Sequence, residues 1–328
     1  MFMRDPLATL RDLATLGARS PTDGNGHLPA GDELITDTAT LGGARVAAWD
    51  AVKIARDLHR PHAVEVIERV FSGFQEMHGD RLFRDDPAIV GGIGLLDGHP
   101  VVVVGQQKGS STEENIQRNF GMPHPEGYRK AIRLYRLAER FHVPLVTLID
   151  TPGAFPGPEA EERGQAEAIA KSIEVMTRLR TPVVAVVLGE GGSGGALALG
   201  VADVVLSLQN AIYSVISPEG AAAILWRTGS EAERAARSLR LAGPDLLELR
   251  IVDGLIPEPP GGAHTDADRT AANVKAAIAP QLERLARKPI AELLTERYER
   301  FRRIGVVVEP AGAVAPPKRS WWKRVLGR

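Results

Sequence analysis

The residues best suited to chemistry lie in one glycine-rich run, GEGGSGGALALG, from Gly189 to Gly200. It directly follows a buried-strand pattern, Pro182 to Leu188, and opens a helical one. The glycines Gly191, Gly192, Gly194 and Gly195 cost backbone entropy on folding, so close approach of a ligand or of another backbone is the reason to expect for them. N–H groups at the start of a helix have no intrahelical partner, and the helix dipole adds positive potential there, so anionic oxygen is the natural guest. Two readings stay open: an oxyanion hole of backbone N–H groups, or tight packing of glycine and alanine between helix and strand. Three other chemistries fit less well. Gly189, Gly191 and Gly194 satisfy G-x-G-x-x-G, yet no acidic residue lies between Asp203 and Glu219, where a dinucleotide site wants one. Ala196-Leu197 stands where a P-loop needs Lys followed by Ser or Thr. Ser193 sits like a nucleophile, but none of the eight histidines is in a recognisable pairing context.

A second loop, Asp150 to Gly157, follows another strand pattern and is shaped by two prolines, which suits a rigid wall beside the first loop or an ordinary strand-to-helix turn capped by Thr151. Lys108, Arg118, Arg129 and Lys130 surround a third irregular stretch, where they suit phosphate or carboxylate groups of a ligand or simply the surface. Glu190 is a candidate acid or base, whereas Glu161 and Glu162 stand where a helix N-terminus favours acids. His59 and His62 are three apart with no third ligand near, so metal binding is unsupported.

The elements that must hold these loops are legible as periodicity. Three apolar runs led by proline, Pro100 to Val104, Pro144 to Ile149 and Pro182 to Leu188, read as buried strands. The second and third units superpose at a constant offset, Pro144 on Pro182 and Gly153 on Gly191, which makes a weak repeat of strand, turn and helix. Asp97-Gly98 between two apolar runs predicts a hairpin, and hence a sheet with both antiparallel and parallel pairing. Helices are predicted at Ala47 to Leu58, Ala63 to Met77, Pro125 to Phe141, Pro218 to Trp226, Glu231 to Leu241, Leu246 to Leu249 and Ala272 to Leu294. An amphipathic helix from Asp5 to Gly17 and a turn-rich linker from Ser20 to Gly31 precede them; from Pro310 a basic tail with Trp321 and Trp322 reads as disordered.

Composition bounds the rest. The 328 residues are 44% hydrophobic and 25% charged, with 40 Lys+Arg against 41 Asp+Glu, which describes a globular protein with no global basic field toward nucleic acid. Zero cysteines exclude disulfides, thiolate zinc sites, iron–sulfur clusters and a cysteine nucleophile. The longest uncharged stretch, Val204 to Pro218, is polar in places and too short for a membrane span, and the N-terminus does not read as a signal peptide, so the cytoplasm is expected.

Eight segments in order make these features recognisable: HGDR from His78, DDPAIVGG from Asp85, RNFGMPHPEGYRKA from Arg118, IDTPGAFPG from Ile149, AEERGQAEAIA from Ala160, GEGGSGGALA from Gly189, YSVISPEG from Tyr213 and EPPGGAH from Glu258. Between about Ala47 and Arg302 the chain resembles the alpha-subunit family of bacterial acetyl-CoA carboxylase carboxyltransferases. The resemblance implies an α/β fold, a ClpP/crotonase-like spiral of repeated β-β-α units with added N- and C-terminal helices. It implies transfer of the carboxyl group from carboxybiotin, held by a biotin carboxyl carrier protein, to acetyl-CoA, giving malonyl-CoA for fatty acid synthesis. It also implies an α2β2 heterotetramer with a zinc-ribbon beta subunit, in a complex whose biotin carboxylase step uses ATP; the absence of cysteine here agrees with that division of labour. By the same resemblance Gly194 and Gly195 are the catalytic N–H donors toward the biotin carbonyl oxygen, while Gly153, Gly191 and Gly192 shape the biotin side of the cleft. Because decarboxylated biotin removes the methyl proton itself, the lack of a side-chain base counts little against this. No metal is expected in this chain.

The domain expectation is an N-terminal helix and linker over residues 1–43, the carboxyltransferase domain over 44–303 and a tail over 304–328. Two rivals remain. A self-sufficient crotonase-type hydratase or isomerase would need a carboxylate such as Glu190 facing the glycine loop, and a non-catalytic binding module would use that loop only for packing.

Overall fold

The computed structural model describes Leu28 and residues 30–305. The expected helix at Asp5 to Gly17, most of the expected linker and the basic tail lie outside the described residues. Eight strands form one mixed sheet: β1 Ser72–Glu76, β2 Ile89–Leu96, β3 His99–Gln106, β4 Leu145–Thr151, β5 Val183–Gly192, β6 Val204–Leu208, β7 Ile212–Ser214 and β8 Gly254–Ile256. The order is β1-β2-β3-β4-β5-β6-β8, with β7 paired to β5; the first three strands are antiparallel and the rest parallel. Asp97 and Gly98 both take positive φ, 50° and 78°, the conformation that closes a two-residue hairpin with the twist of its strands.

The repeat is visible in the register. Leu145 pairs with Val183 and Ile149 with Val187, so equivalent residues of the two units lie side by side. Beyond Ile149 the register slips and Thr151 pairs with Gly191, so Gly153 and Gly191 are not neighbours across the sheet as the superposition predicts. β5 also changes partner: its first half pairs with β6 and its last three residues with β7. That exchange turns Glu190 to Gly192 away from β6 and leads them, still paired with Thr151 and β7, into the turn.

The helices are α1 Ala48–Ala55, α2 Ala63–Val70, α3 Thr112–Gln117, α4 Pro125–Phe141, α5 Pro158–Glu162, α6 Gln165–Arg178, α7 Ser193–Gly200, α8 Pro218–Trp226, α9 Ala232–Leu239, α10 Gly243–Glu248, α11 Ala267–Ala286 and α12 Ile290–Arg302. They cover both faces of the sheet. A Cβ on Gly91 of β2 would strike Leu134 of α4, whereas one on Gly105 of β3, which points the other way, would strike Ala63 of α2. The central strands, buried on both faces, are accordingly continuous in Val, Leu and Ile.

Two predicted helices are corrected. The apolar spacing of Ile67, Val70, Phe71 and Phe74 suits a helix through Met77, but α2 stops at Val70 and Ser72–Glu76 pairs with β2; Gly73, at φ 60°, leaves helical geometry and the ladder takes the segment. The single helix predicted over Ala272 to Leu294 is two, because Pro289 disfavours a helical Lys288 and caps α12 instead. Residues 30–37, expected to belong to the linker and N-terminal segment, dock on the body: Ile35 bridges to Leu255, Asp32 N–H donates to Asn273, and the Asp32 carboxylate pairs with Arg269. Among the described residues no helix is long and apolar enough to cross a membrane.

Candidate active site

The glycine run folds as the end of β5 and the start of α7. Ser193, Gly194 and Gly195 are the first three helical residues, and Gly192 supplies no side-chain cap, so nothing in the helix satisfies their N–H groups. The turn is sharp because Ser193 adopts φ 52°, a left-handed conformation costly for a residue with a side chain. α7 has no polar side chain after Ser193, and it is anchored through its carbonyls by donors from four other elements. Gln106 of β3 donates to Gly195 O at 2.8 Å, Thr147 of β4 to Leu199 O at 2.7 Å, and Ser172 of α6 to Ala198 O at 2.6 Å, with Tyr135 of α4 also reaching Ala198 O.

The five expected site glycines separate by physical role. A Cβ on Gly192 would lie 2.1 Å from Pro152 O, and one on Gly195 would lie 2.6 Å from Ala154 N and 2.8 Å from Gly153 C, so both are glycine because the two loops touch backbone to backbone. Gly191 faces the Tyr213 ring, 2.5 Å from where its Cβ would be. Gly194 is different: the nearest atom to its Cβ would be Ile169 Cγ2 at 3.6 Å, an ordinary contact. Gly153 has nothing within 4 Å and takes φ 152°. The expected wall, Pro152 to Gly157, is itself held by Gln165, whose amide donates to Phe155 O and Pro123 O, and by Phe155 stacking on His124 at 4.1 Å.

Behind the turn runs a chain of alternating charges that sequence spacing does not reveal. Arg56 Nε donates to Glu190 Oε1 (2.6 Å) and its other arm to Glu219; Lys108 Nζ bridges Glu190 Oε2 (2.7 Å) and Asp150 Oδ1 (3.0 Å); His62 Nδ1 meets Asp150 Oδ2 at 2.7 Å. Burial alone would raise the Asp150 carboxyl, but the Lys108 charge and the His62 bond outweigh it and hold it well below the usual carboxylate range. Burial would likewise lower Lys108, and the Asp150 and Glu190 charges raise it instead. Asp150 Oδ1 also accepts the Glu190 N–H at 3.0 Å, which fixes the ends of β4 and β5 to each other. Arg56 and Glu190 line a cavity of about 30 Å³ with Gly191, Gly192, Pro152 and Pro218.

Of the expected basic residues, only Lys108 joins this group. Arg118 is bonded to Pro87 O, Arg129 to Asp80, and Lys130 to Asp85 and Asp86 O, around a separate cavity of about 210 Å³ lined by Asp86 and His124. His59 is exposed beside Asp57 and does not approach a common ligand with His62. Glu161 and Glu162 are exposed on α5. No described histidine is hydrogen-bonded to Ser193, and each Glu190 oxygen is ion-paired, one with Arg56 and one with Lys108, so neither a serine–histidine pair nor an unpaired carboxylate stands at the turn. Among the described residues no group of three or more His, Cys, Asp or Glu could hold a metal ion.

Similarity to known proteins agrees with this arrangement. The chain is 58% identical over 262 residues to the acetyl-coenzyme A carboxylase carboxyl transferase subunit alpha of Thermus thermophilus, covering 80% of this chain and 83% of the relative. It is 56% identical over 266 residues to the corresponding subunit of Methylococcus capsulatus, covering 81% and 83%. Among solved structures, transcarboxylase 12S superposes with a TM-score of 0.57 at 22% identity, over 73% of this chain and 45% of that one. The beta subunit of geranyl-CoA carboxylase from P. aeruginosa superposes at 0.55 and 18%, over 81% and 49%. These two show the fold, the crotonase-like α/β architecture expected above. Residues 35–305, which contain the whole glycine turn, its wall and the charged chain behind it, match the family model described as acetyl co-enzyme A carboxylase carboxyltransferase-like, and the chain belongs to that family.

Proposed function

We propose that this chain is the alpha half of an acetyl-CoA carboxylase carboxyltransferase, moving a carboxyl group from carboxybiotin on a biotin carboxyl carrier protein to acetyl-CoA to form malonyl-CoA. The observation that carries the reading is the uncapped first turn of α7, with N–H groups of Ser193, Gly194 and Gly195 beside the Pro152–Ala154 wall, in a member of this family. Carboxybiotin supplies the carboxyl group when bound; the residues here fit its ureido carbonyl because they offer paired N–H donors at an uncapped helix start with no side chain over them. Gly194 and Gly195 N–H groups receive the charge that builds on that oxygen as the carboxyl group departs, and one such donor is typically worth about 2.7–4 kcal/mol in the transition state. Gly192 and Gly195 let the two loops close to backbone contact, Gly191 lets the Tyr213 ring pack under the turn, and Gly153 takes the φ of 152° that shapes the wall, so the donors meet the ligand along a rigid edge. Asp150, Lys108 and Glu190 hold the edge by charge pairing, and none is needed as a base.

The cavity at the turn, about 30 Å³, is far smaller than the ~300–1,000 Å³ of a typical ligand pocket, which favours a site completed by another chain. We assign that part to a zinc-ribbon beta subunit holding the acetyl thioester in an α2β2 assembly, with a biotin carboxylase spending ATP to load the carrier, all in the cytoplasm. The domain that does this spans residues 44–303. The test is direct. Purified with its beta partner, the chain converts malonyl-CoA and biocytin to acetyl-CoA and carboxybiocytin, and purified alone it does not. Full activity of the lone chain, or its turnover of an enoyl-CoA, would overturn the assignment.

A further inference from the structure

Gln106 is the last residue of β3 and its side chain is wholly buried. Its Oε1 accepts the Asp150 N–H at 3.2 Å, and its Nε2 donates to Gly195 O at 2.8 Å. Both partners are backbone groups of fixed polarity, so the amide can sit only one way round. One side chain therefore ties the end of β3 to the root of the Pro152 wall and to the first turn of α7, joining residues 44 and 89 positions away. That turn needs a tie. Gly194 and Gly195 carry no side chain to lock their rotation, glycine has the widest backbone freedom, and the first N–H groups of a helix contribute no intrahelical bond.

We propose that Gln106 is the positioning residue of the glycine turn, aiming the N–H groups of Gly194 and Gly195 by clamping the carbonyl of Gly195. It touches no reacting atom, and it rests on the assignment of those N–H groups as donors to the substrate. An N–H pair that rotates freely must be ordered in each transition state, whereas a clamped pair is already aimed; a misplacement of about 1 Å is able to cost about 10²-fold in rate.

The substitution Gln106→Glu gives the sharpest readout. Protonated, the introduced carboxyl keeps one acceptor for the Asp150 N–H and one O–H donor for Gly195 O; ionised, it sets a carboxylate oxygen against that carbonyl. On its own face of the sheet the titratable groups are the buried hydroxyls of Tyr128, beside Gly195, and Tyr135, on Ala198 O, both from α4; the Asp150 carboxylate with His62 and Lys108 lies on the α2 face, and Glu190 pairs with Lys108 there. In the α–β complex, with malonyl-CoA and biocytin, Gln106→Glu loses about 10²-fold in kcat above neutral pH and regains rate as pH falls, through an ionisation the native enzyme lacks, while KM for malonyl-CoA changes less than about twofold. Gln106→Met, of similar volume and without hydrogen bonds, is slow at every pH. A Gln106→Glu enzyme with native kcat and pH profile, or a Gln106→Met enzyme as fast per assembled complex as the native one, would overturn the proposal. Amide hydrogen exchange separates this from failure of the functional reading: in the full chain without substrate, Gln106→Met speeds exchange over residues 192–199 and leaves the rest of the sheet unchanged. Unaltered exchange there also contradicts the clamp.

Discussion

Adding one methyl group at each of two adjacent glycines distinguishes packing from function at the turn. A Cβ on Gly195 falls 2.6 Å from Ala154 N and 2.8 Å from Gly153 C, and neither backbone atom has anywhere to go. Overpacking of this kind costs about 1–3 kcal/mol, so Gly195→Ala unfolds at a lower temperature than the native chain and assembles poorly. A Cβ on Gly194 meets only Ile169 Cγ2 at 3.6 Å, and its φ is not in the left-handed region. Removing a glycine from the first turn then gains about 0.5–1 kcal/mol, so Gly194→Ala melts no lower than the native chain. The same methyl tilts toward the helix N-terminus, over the open N–H groups, where the ureido oxygen must dock. If it blocks one donor, kcat in the malonyl-CoA and biocytin assay falls by about 10²–10³-fold. Stability and rate thus move in opposite directions for Gly194→Ala and together for Gly195→Ala. A Gly194→Ala complex with native transfer rate would refute approach of a ligand to this face, and one less stable than Gly195→Ala would refute the packing argument.

Two further outcomes follow from the same geometry. Ser193, exposed and held at φ 52°, is relieved by glycine, so Ser193→Gly stabilises the chain by about 1 kcal/mol in denaturant unfolding, and Ser193→Ala leaves carboxyl transfer intact; loss of transfer with Ala would revive the nucleophile reading. Burial pushes the Asp86 carboxyl up to about 6 from its ordinary 3.8, despite N–H bonds from Ala88 and His124. A raised carboxyl binds its proton more readily folded than unfolded, so it adds stability below pH 3.8 that is lost as pH rises through 6, a difference of about 3 kcal/mol. The stability of Asp86→Asn relative to the native chain therefore improves by about that amount between pH 4 and 7, measured by denaturant melts at each pH; a pH-independent difference contradicts it.

How much of this is legible in the sequence follows the range of each interaction. The hairpin at Asp97-Gly98, helix α4 with Pro125 at its first turn, and the repeat joining Leu145 to Val183 are written in local chemistry and in spacing, and the structure reproduces them. The segment after Val70 misleads because the spacing of Phe71 and Phe74 is that of a helix, and a register slip between Ser72 and Gln75 is what lets both rings lie on one side of a strand paired with β2. The glycine turn is legible as a site, yet not the division of labour within it: that Gly192 and Gly195 answer to the Pro152–Ala154 backbone, and Gly194 does not, depends on a loop about 40 residues away. Gln106, Arg56 and Asp150 carry no signal beyond ordinary polar residues. Their significance lies in partners brought together by the crossovers of the sheet, which no spacing rule encodes. His62 stands out in the sequence for its neighbour His59, whereas its actual partner is Asp150.

The donor claim itself is tested most directly by removing single N–H groups without changing shape. Replacing Gly194 or Gly195 by glycolic acid converts one amide to an ester, which keeps the carbonyl chain and adds no atom that the Pro152–Ala154 wall must accommodate. In the assembled complex each ester lowers kcat for transfer between malonyl-CoA and biocytin by about 10²–10³-fold, with KM for malonyl-CoA essentially unchanged. Native turnover by both ester forms would contradict the account.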